Sequence, residues 1–178
     1  MSIFFCVDIE SIGLHGEGFA VGYVVVDSLG TEIESATFAC PPDAARGTDS
    51  DRAWVTQHVP PLSPTHATPR EVRAAFWQRW LHWSALGAQM VADCAWPVEA
   101  RFLAACVDDH GADAAWQGPY PLLDVSALAT ALGLDPRAAG DRLADELPQH
   151  DPLADARHCA RLWRQYSRLC ASTASAGH

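Results

Sequence analysis

The chain has 178 residues, of which 49% are hydrophobic, and a formal net charge of −10, with arginine as its only strongly basic residue type. This length and apolar content predict one folded domain with a substantial core and exclude a disordered chain. The acidic balance excludes a broad basic surface for long duplexes, because such binding depends on many Lys and Arg contacts with phosphates.

Three antiparallel strands are predicted in the first part of the chain. Residues 2–8 and 18–27 are rich in bulky apolar side chains, and residues 31–39 alternate between polar and apolar types. An Asp-Ser-Leu-Gly turn at 27–30 joins the second and third segments. Such short connections favour antiparallel neighbours.

Alternating helices and strands are predicted after a long polar loop at 41–68, which contains a short helix at 50–58. The sequence therefore predicts an α/β domain over residues 1–172, with a mixed sheet of three antiparallel and two parallel strands flanked by helices. Residues 173–178 are predicted to form a flexible tail. The later elements are predicted strands at 88–93 and 120–125 and predicted helices at 69–86, 97–109, 126–132 and 152–172.

Targeting and cysteine patterns indicate the compartment. The sequence has no long apolar run, and residues 1–8 lack the basic start of a signal peptide, so we expect a cytoplasmic protein without a membrane span. No Cys-x-x-Cys pair occurs, so we expect neither disulfides nor a structural zinc site. The cysteines are instead predicted to be small buried apolar residues. They are Cys6, Cys40, Cys94, Cys106, Cys159 and Cys170.

Two carboxylates, Asp8 and Glu10, lie at the end of the first predicted strand. Side chains alternate along a strand, so both point to one face while Ile9 points into the core. Buried neighbouring carboxylates repel each other, and a divalent cation removes that cost because hard cations prefer carboxylate oxygens. The pair therefore predicts a metal site, with a solvated strand end as the alternative.

A second pair, His150 and Asp155, brackets the start of the last predicted helix. Asp151-Pro152 opens that helix, so Asp155 lies about one turn in, where the positive end of the helix dipole favours an ionised carboxylate. His150 lies just before the helix and can serve as a general base near neutral pH. The alternative is that Asp155 only stabilises the helix start and His150 is a surface residue.

The middle of the chain offers two further acids. Asp93 follows a predicted strand, and Glu99 lies in the first turn of the next predicted helix. Each also has a purely structural interpretation, because an aspartate can cap a turn and a glutamate is favourable at any helix N-terminus.

In this order and spacing, these segments resemble the DEDDh 3′–5′ exonucleases, which include proofreading exonuclease subunits, ribonuclease T and oligoribonuclease. Asp-Ile-Glu at 8–10, followed by Ser-Ile-Gly-Leu at 11–14, resembles the first motif and its usual Thr-Thr-Gly-Leu continuation. Leu-Asp-Val at 123–125 resembles the Asp-Thr-Leu segment, and His150 with Asp155 resembles the third motif. The resemblance covers about residues 3–165 and implies a ribonuclease H-like fold.

The middle motif departs from the family pattern, in which a strand ends near His-Asn and Phe-Asp-x-x-Phe-Leu follows. When Arg-Phe-Leu at 101–103 is aligned with that pattern, Glu99 takes the place of the catalytic aspartate. Asp93 has the family's usual residue type but precedes that position. Both residues therefore stay candidates, with register favouring Glu99.

The resemblance implies an enzyme that releases nucleoside monophosphates from single-stranded 3′ ends of RNA or DNA, including short oligonucleotides. Two Mg²⁺ or Mn²⁺ ions would activate a water and stabilise the leaving oxygen, and His150 would be the general base. RNA and DNA both stay open, because ribose preference depends on one or two contacts with the 2′-hydroxyl. The metal ligands would be Asp8, Glu10, Asp155 and either Glu99 or Asp93.

Substrate contacts are predicted from the small and aromatic residues near these motifs. Three glycines follow the acidic pair within residues 11–18, and small residues allow close approach of a ligand, so we expect the terminal nucleotide against Ser11, Ile12 and Gly13. Aromatic residues can stack on bases, and arginines can bind phosphates. The candidates are Phe19, Trp54 and Trp96 for stacking and Arg52 and Arg101 for phosphate.

Other functions are also compatible with the sequence. The irregular middle motif motivates a non-catalytic member of the same fold, acting as a nucleic-acid-binding or interaction module. A ribonuclease H-like nuclease that cuts internally is a further alternative. Family analogy also allows a homodimer, for which the tryptophan-rich segment 69–86 offers a surface.

Overall fold

The computed structural model describes residues 2–137 and 141–176, with the last four of these as backbone only. Within these residues, five strands form one mixed sheet in the order β3-β2-β1-β4-β5. The strands are β1 (Ile3–Ser11), β2 (Gly18–Asp27), β3 (Glu32–Ala39), β4 (Ala88–Ala92) and β5 (Leu123–Asp124). The helices are α1 (Asp49–His58), α2 (Pro69–Ala85), α3 (Ala100–His110), α4 (Val125–Ala131) and α5 (Pro152–Ala176).

The central strand, β1, sets the geometry of the sheet. It pairs antiparallel with β2, which in turn pairs antiparallel with β3. On its other side it pairs parallel with β4, and β4 pairs parallel with β5. The predicted mixed sheet of three antiparallel and two parallel strands is therefore confirmed. As a consequence, the carboxyl ends of β1, β4 and β5 lie at the same edge.

Helices cover both faces of the sheet, and the side chains of β1 point alternately to one face and the other. Phe5, Val7 and Ile9 pack into one core with α2 and α3. Cys6 has the opposite parity and packs into a second core with α4 and α5. Since Asp8 and Glu10 share the parity of Cys6, they point to the face that α5 covers.

A glycine on β2 allows α5 to lie very close to the sheet. Gly22 is paired with Asp8 across the β1–β2 ladder. A Cβ atom on Gly22 would overlap the backbone of Pro152 and Leu153, at the first turn of α5. The absence of a side chain at this position therefore brings the start of α5 over the end of β1.

Local signals explain where the two long helices begin. Thr68 caps α2 and forms a capping box with Glu71, while Pro69 occupies the first turn, where its missing N–H costs nothing. At α5, Asp151 Oδ1 accepts hydrogen bonds from the backbone N–H groups of Leu153 and Ala154, both at 3.0 Å. Both starts agree with the predicted boundaries.

Several boundaries differ from the prediction. A helical turn, Ala95–Glu99, precedes α3. It is irregular because Trp96 has extended backbone angles. Strand β5 has two residues instead of the predicted six, and Pro121, which has no N–H to donate to a ladder, lies just before it. Helix α5 continues to Ala176, beyond the predicted end at 172. The predicted flexible tail includes residues 177 and 178, which lie outside the described residues.

Four cysteines and three tryptophans are buried in the cores of the domain. Cys6, Cys40, Cys106 and Cys159 are buried as predicted, and Cys170 is half-buried. The prediction of burial is wrong for Cys94, which is exposed because it lies in the turn after β4. The α2 tryptophans, Trp77, Trp80 and Trp83, are buried in the core and therefore offer no exposed face for a dimer.

No helix in the described part of the chain is long and apolar enough to cross a membrane.

Candidate metal centre

Five carboxylates converge where the parallel strands end. Asp8 and Glu10 project from the end of β1 toward α5, and Asp155 lies in the first turn of that helix. Asp93 directly follows β4, and Glu99 ends the irregular turn before α3. The structure thus brings together every acid that the sequence predicted for the site.

Asp8 lies at the middle of this cluster. Its Oδ2 atom is buried and has no hydrogen-bond partner among the described residues. Burial raises the pKa of Asp8 well above its ordinary value, and the charges of Asp155, Glu10, Glu99 and Asp93 raise it further. An oxygen buried in this way is costly unless a cation or a donor compensates it.

The pKa values of two neighbours are also raised. Burial, with repulsion from Asp155 and Glu99, raises the pKa of Glu10 to about 8. Burial also raises the pKa of Glu99 to about 7, although hydrogen bonds from the backbone N–H groups of Glu99 and Ile9 partly oppose the shift. Repulsion from Asp93 adds to the increase at Glu99. Bringing these carboxylates together is therefore unfavourable without a bound cation.

His150 and Asp155 meet the acidic pair on β1. The backbone N–H of His150 donates to Asp155 Oδ2 at 3.0 Å, and His150 Nδ1 lies 3.6 Å from Glu10 Oε1. One potential ligand atom from each of Glu10, His150 and Asp155 lies within 4.8 Å of the others. His150 has a φ of 65°, which is uncommon for a residue other than glycine.

Arg142 is a partner of Asp155 that the sequence did not predict. Its Nη1 atom forms an ion pair with Asp155 Oδ1 and also donates to the Glu146 carbonyl at 3.0 Å. Across the described residues, no other arginine pairs with the five carboxylates. No local pattern around Arg142 indicates this long-range contact.

The two candidates for the middle carboxylate differ in burial. The charge of Glu99 raises the pKa of both Asp8 and Glu10, and the charge of Asp93 raises the pKa of Asp8 and of Glu99 itself. Burial raises the pKa of Asp93 itself, and His158 partly offsets this. Glu99 is buried, whereas Asp93 is half-buried.

These residues are suited to hold a divalent cation. The cluster offers carboxylate oxygens from five residues, an unpartnered buried oxygen on Asp8, and a single arginine as compensating charge within the described chain. Carboxylate oxygens are the ligands that Mg²⁺ and Mn²⁺ prefer.

The predicted substrate-contact residues lie in different environments. Ser11 Oγ donates to the Gly13 carbonyl at 2.8 Å, and Gly13 has a φ of 69°, so this loop turns sharply beside the cluster. Ile12 is fully buried, and Phe19 is 1% exposed because it belongs to the β2 residues that face the core. Neither side chain is exposed, so contact of the terminal nucleotide with Phe19 or with the 11–13 segment stays a prediction.

The two other aromatic candidates, Trp54 and Trp96, are exposed. Trp96, in the turn that leads to Glu99, is 69% exposed. Trp54 on α1 contacts His150 edge to face, with ring centroids 5.2 Å apart, and stacks on His58 at 4.4 Å. Arg52 is occupied by the carbonyls of Pro42 and Ala45. Through the contact of Trp54 with His150, helix α1 lies against the site.

No protein-family model matches the chain, and no curated protein matches it significantly. Solved structures match its fold. They include E. coli exonuclease I in a zinc-bound complex with single-stranded DNA (15% identity, TM-score 0.60) and exonuclease I of Methylocaldum szegediense (14% identity, TM-score 0.63). Each match covers 92% of this chain and 40% of the other, so the chain spans about two fifths of exonuclease I.

A third match covers most of both chains. It is a 3′-exonuclease whose structure shows 3′-end-specific recognition of a histone mRNA stem-loop. The two chains are 12% identical, with a TM-score of 0.54, and the match covers 94% of this chain and 82% of the other. The mixed sheet and its flanking helices therefore have the ribonuclease H-like fold of these exonucleases.

Proposed function

We propose that this chain is a metal-dependent 3′–5′ exonuclease of the DEDDh type that releases nucleoside monophosphates from single-stranded ends. The observation that carries the proposal is the meeting of five carboxylates at the strand ends, with Asp8 Oδ2 buried and unpartnered among the described residues. The order of these acids along the chain, with His150 before Asp155, supports the same function.

Asp8, Glu10, Glu99 and Asp155 would hold two Mg²⁺ or Mn²⁺ ions. Glu99 is preferred to Asp93 because it is the more buried of the two and aligns with the catalytic aspartate of the family pattern. When bound, such ions lower the pKa of a water molecule and stabilise the developing charge on the leaving 3′ oxygen. Asp93 would then act as an outer partner of the cluster.

His150 would accept the proton of the attacking water. The hydrogen bond from its own backbone N–H to Asp155 places the ring beside the carboxylates, and Nδ1 faces Glu10 at 3.6 Å. The edge contact with Trp54 limits the directions in which the imidazole can turn. A base held at this distance can reach a water between itself and the acidic pair.

A single-stranded end suits the charge of the chain. With a formal charge of −10, the protein repels a long polyanion, and two divalent ions would offset only four of these charges. Binding would therefore involve few nucleotides, with Trp54 and Trp96 as exposed stacking surfaces and the 11–13 turn against the terminal nucleotide. The substrate class includes both RNA and DNA.

A non-catalytic binding module is the second candidate. The ion pair between Arg142 and Asp155 favours it, because the arginine neutralises a carboxylate that a metal would need. Glutamate in place of aspartate at position 99 points in the same direction.

A cleavage assay separates these functions. The chain is incubated with Mn²⁺ or Mg²⁺ and a 5′-labelled single-stranded oligonucleotide, and the products are resolved by length and by chromatography. The proposal predicts stepwise 3′ shortening with release of monophosphates, which Asp8→Asn abolishes and the exposed Asp108→Asn on α3 preserves. Internal fragments would favour the endonuclease alternative, and oligonucleotide binding without cleavage would favour the binding module.

A further inference from the structure

A cavity of about 340 Å³ lies beside the carboxylate cluster, between the 13–18 loop and the start of α3. Val98 lines it, and the next residue, Glu99, belongs to the cluster. The cavity and the cluster therefore lie on two sides of the same turn. Its charged lining consists of three arginines, Arg46, Arg73 and Arg101, and one glutamate, Glu17.

One of these arginines is structural. Arg73 is 7% exposed and pairs with Glu17 at 2.9 Å and with Asp109 at 2.6 Å. These contacts help to lower the pKa of Glu17, although burial alone would raise it. Arg73 and Glu17 thus form a fixed, nearly neutral floor.

The other two arginines carry the excess positive charge. Arg46 is highly exposed, and Glu17 Oε2 accepts hydrogen bonds from its backbone N–H at 3.1 Å and from its Nε at 3.3 Å, which leaves both Nη groups without a carboxylate partner among the described residues. Arg101 donates from Nη2 to the His15 carbonyl at 2.9 Å and has no carboxylate partner within the described residues. That bond orients the guanidinium at the cavity but leaves its charge uncompensated, which is the arrangement a bound anion requires.

Outside the cavity, five of the nine other arginines are paired with a carboxylate within the described residues. The formal charge of the whole chain is −10. The pairs outside the cavity and the cluster include Arg79–Glu34, Arg157–Glu32 and Arg161–Glu146. A concave positive surface next to an acidic cluster therefore suits a linear polyanion, with one phosphate at the cluster and another at the cavity.

We propose that this cavity binds the backbone phosphate immediately upstream of the terminal nucleotide, through Arg46 and Arg101. The inference rests on the proposed function, since it takes a single-stranded nucleic acid as the ligand. The apolar side chains of Val98 and Phe102 also line the cavity and would provide contact area for the sugar. The subsite explains how a strongly acidic protein can hold more than one nucleotide.

The test compares a substrate that has an upstream phosphate with one that has none. The p-nitrophenyl ester of thymidine 5′-monophosphate contains one phosphodiester, whereas a short thymidine oligonucleotide contains several. The variants are Arg46→Gln, Arg101→Gln and the double variant. The matched control is Arg164→Gln, because Arg164 also donates to a backbone carbonyl, that of Leu29, at the opposite end of the sheet.

The proposal predicts that the ratio of kcat/KM for the oligonucleotide to that for the ester falls about tenfold for each lost arginine, mainly through KM. If the variants keep the ratio of the wild type and of Arg164→Gln while the ester is hydrolysed, the subsite is refuted and the proposed function stands.

If the wild type cleaves neither substrate, that result counts against the proposed function but does not test the phosphate subsite. A binding measurement then tests the subsite directly. Fluorescence anisotropy of a labelled oligonucleotide with the full chain is recorded over a range of salt concentrations. The slope of the logarithm of the association constant against the logarithm of the salt concentration is negative. In the double variant it is expected to be less steep than in the wild type by about 0.7, which corresponds to the loss of one phosphate contact. An unchanged slope overturns the subsite.

Discussion

Substituting Gly22 by alanine tests how the fold places Asp155 against Asp8. The added Cβ would meet the backbone of Pro152 and Leu153 more than about 1 Å inside a normal carbon–carbon separation of about 3.5 Å. Backbone atoms cannot rotate away, so the start of α5 must shift by about that distance. Overpacking of this kind costs about 1–3 kcal/mol of unfolding free energy.

The same shift would move Asp155 away from the acids on β1, and a misplacement of about 1 Å can cost on the order of 100-fold in activity. Urea denaturation and calorimetric Mn²⁺ titration of Gly22→Ala are expected to show lower stability and weaker metal binding. The control is Gly118→Ala, where the nearest atom to the added Cβ is Val107 Cγ2 at 3.6 Å, an ordinary contact. Unchanged stability and metal affinity in Gly22→Ala would refute this reasoning.

Three further predictions concern individual carboxylates. Glu99→Gln should weaken Mn²⁺ binding more than about 100-fold, whereas Asp93→Asn, as an outer partner, should weaken it about 10- to 100-fold by calorimetry. Without metal, the unfolding free energy should fall by several kcal/mol as pH rises from about 5 to 8, because folded Glu10, with a pKa of about 8, keeps a proton that the unfolded chain releases. Glu146 has the opposite behaviour: burial would raise its pKa, but hydrogen bonds from Arg161 and His158 lower it to about 2. Its contribution to the unfolding free energy is therefore fully present above about pH 4.5 and is lost as the pH falls toward 2. Glu146→Gln should cost about 3 kcal/mol at pH 7 in urea denaturation.

Each of these predictions has an outcome that would contradict it. A greater loss of metal affinity in Asp93→Asn than in Glu99→Gln would exchange their roles. A metal-free protein whose stability is constant between pH 5 and 8 would show that the acids on β1 do not share a buried site. For Glu146, the exposed neighbour Asp145 provides the control, and equal effects of Asp145→Asn and Glu146→Gln would argue against the buried network.

Local sequence patterns account for much of the fold and for the two strongest pairs of the site. Alternation along β1 places Asp8 and Glu10 on one face, and the Asp-Pro start of α5 sets Asp155 one turn into the helix. Both are properties of a few consecutive residues, which is why they could be read without a structure.

The remaining features depend on contacts between distant segments. Alternation along β2 does not reveal which face Phe19 takes, since both faces of that strand are buried. The contact of Arg142 with Asp155 and that of Trp54 with His150 link segments that are far apart or irregular. The two-residue strand β5 is too short to show any period. These features arise from tertiary packing, which local patterns do not encode.

The most direct test of the metal-dependent site is a crystal structure of the protein with Mn²⁺ and a nucleoside monophosphate, using anomalous scattering to locate the metal. We expect two manganese peaks held by Asp8, Glu10, Glu99 and Asp155, with the phosphate beside them and His150 facing it. An empty carboxylate cluster in which Arg142 still occupies Asp155, or manganese bound only elsewhere on the surface, would contradict it.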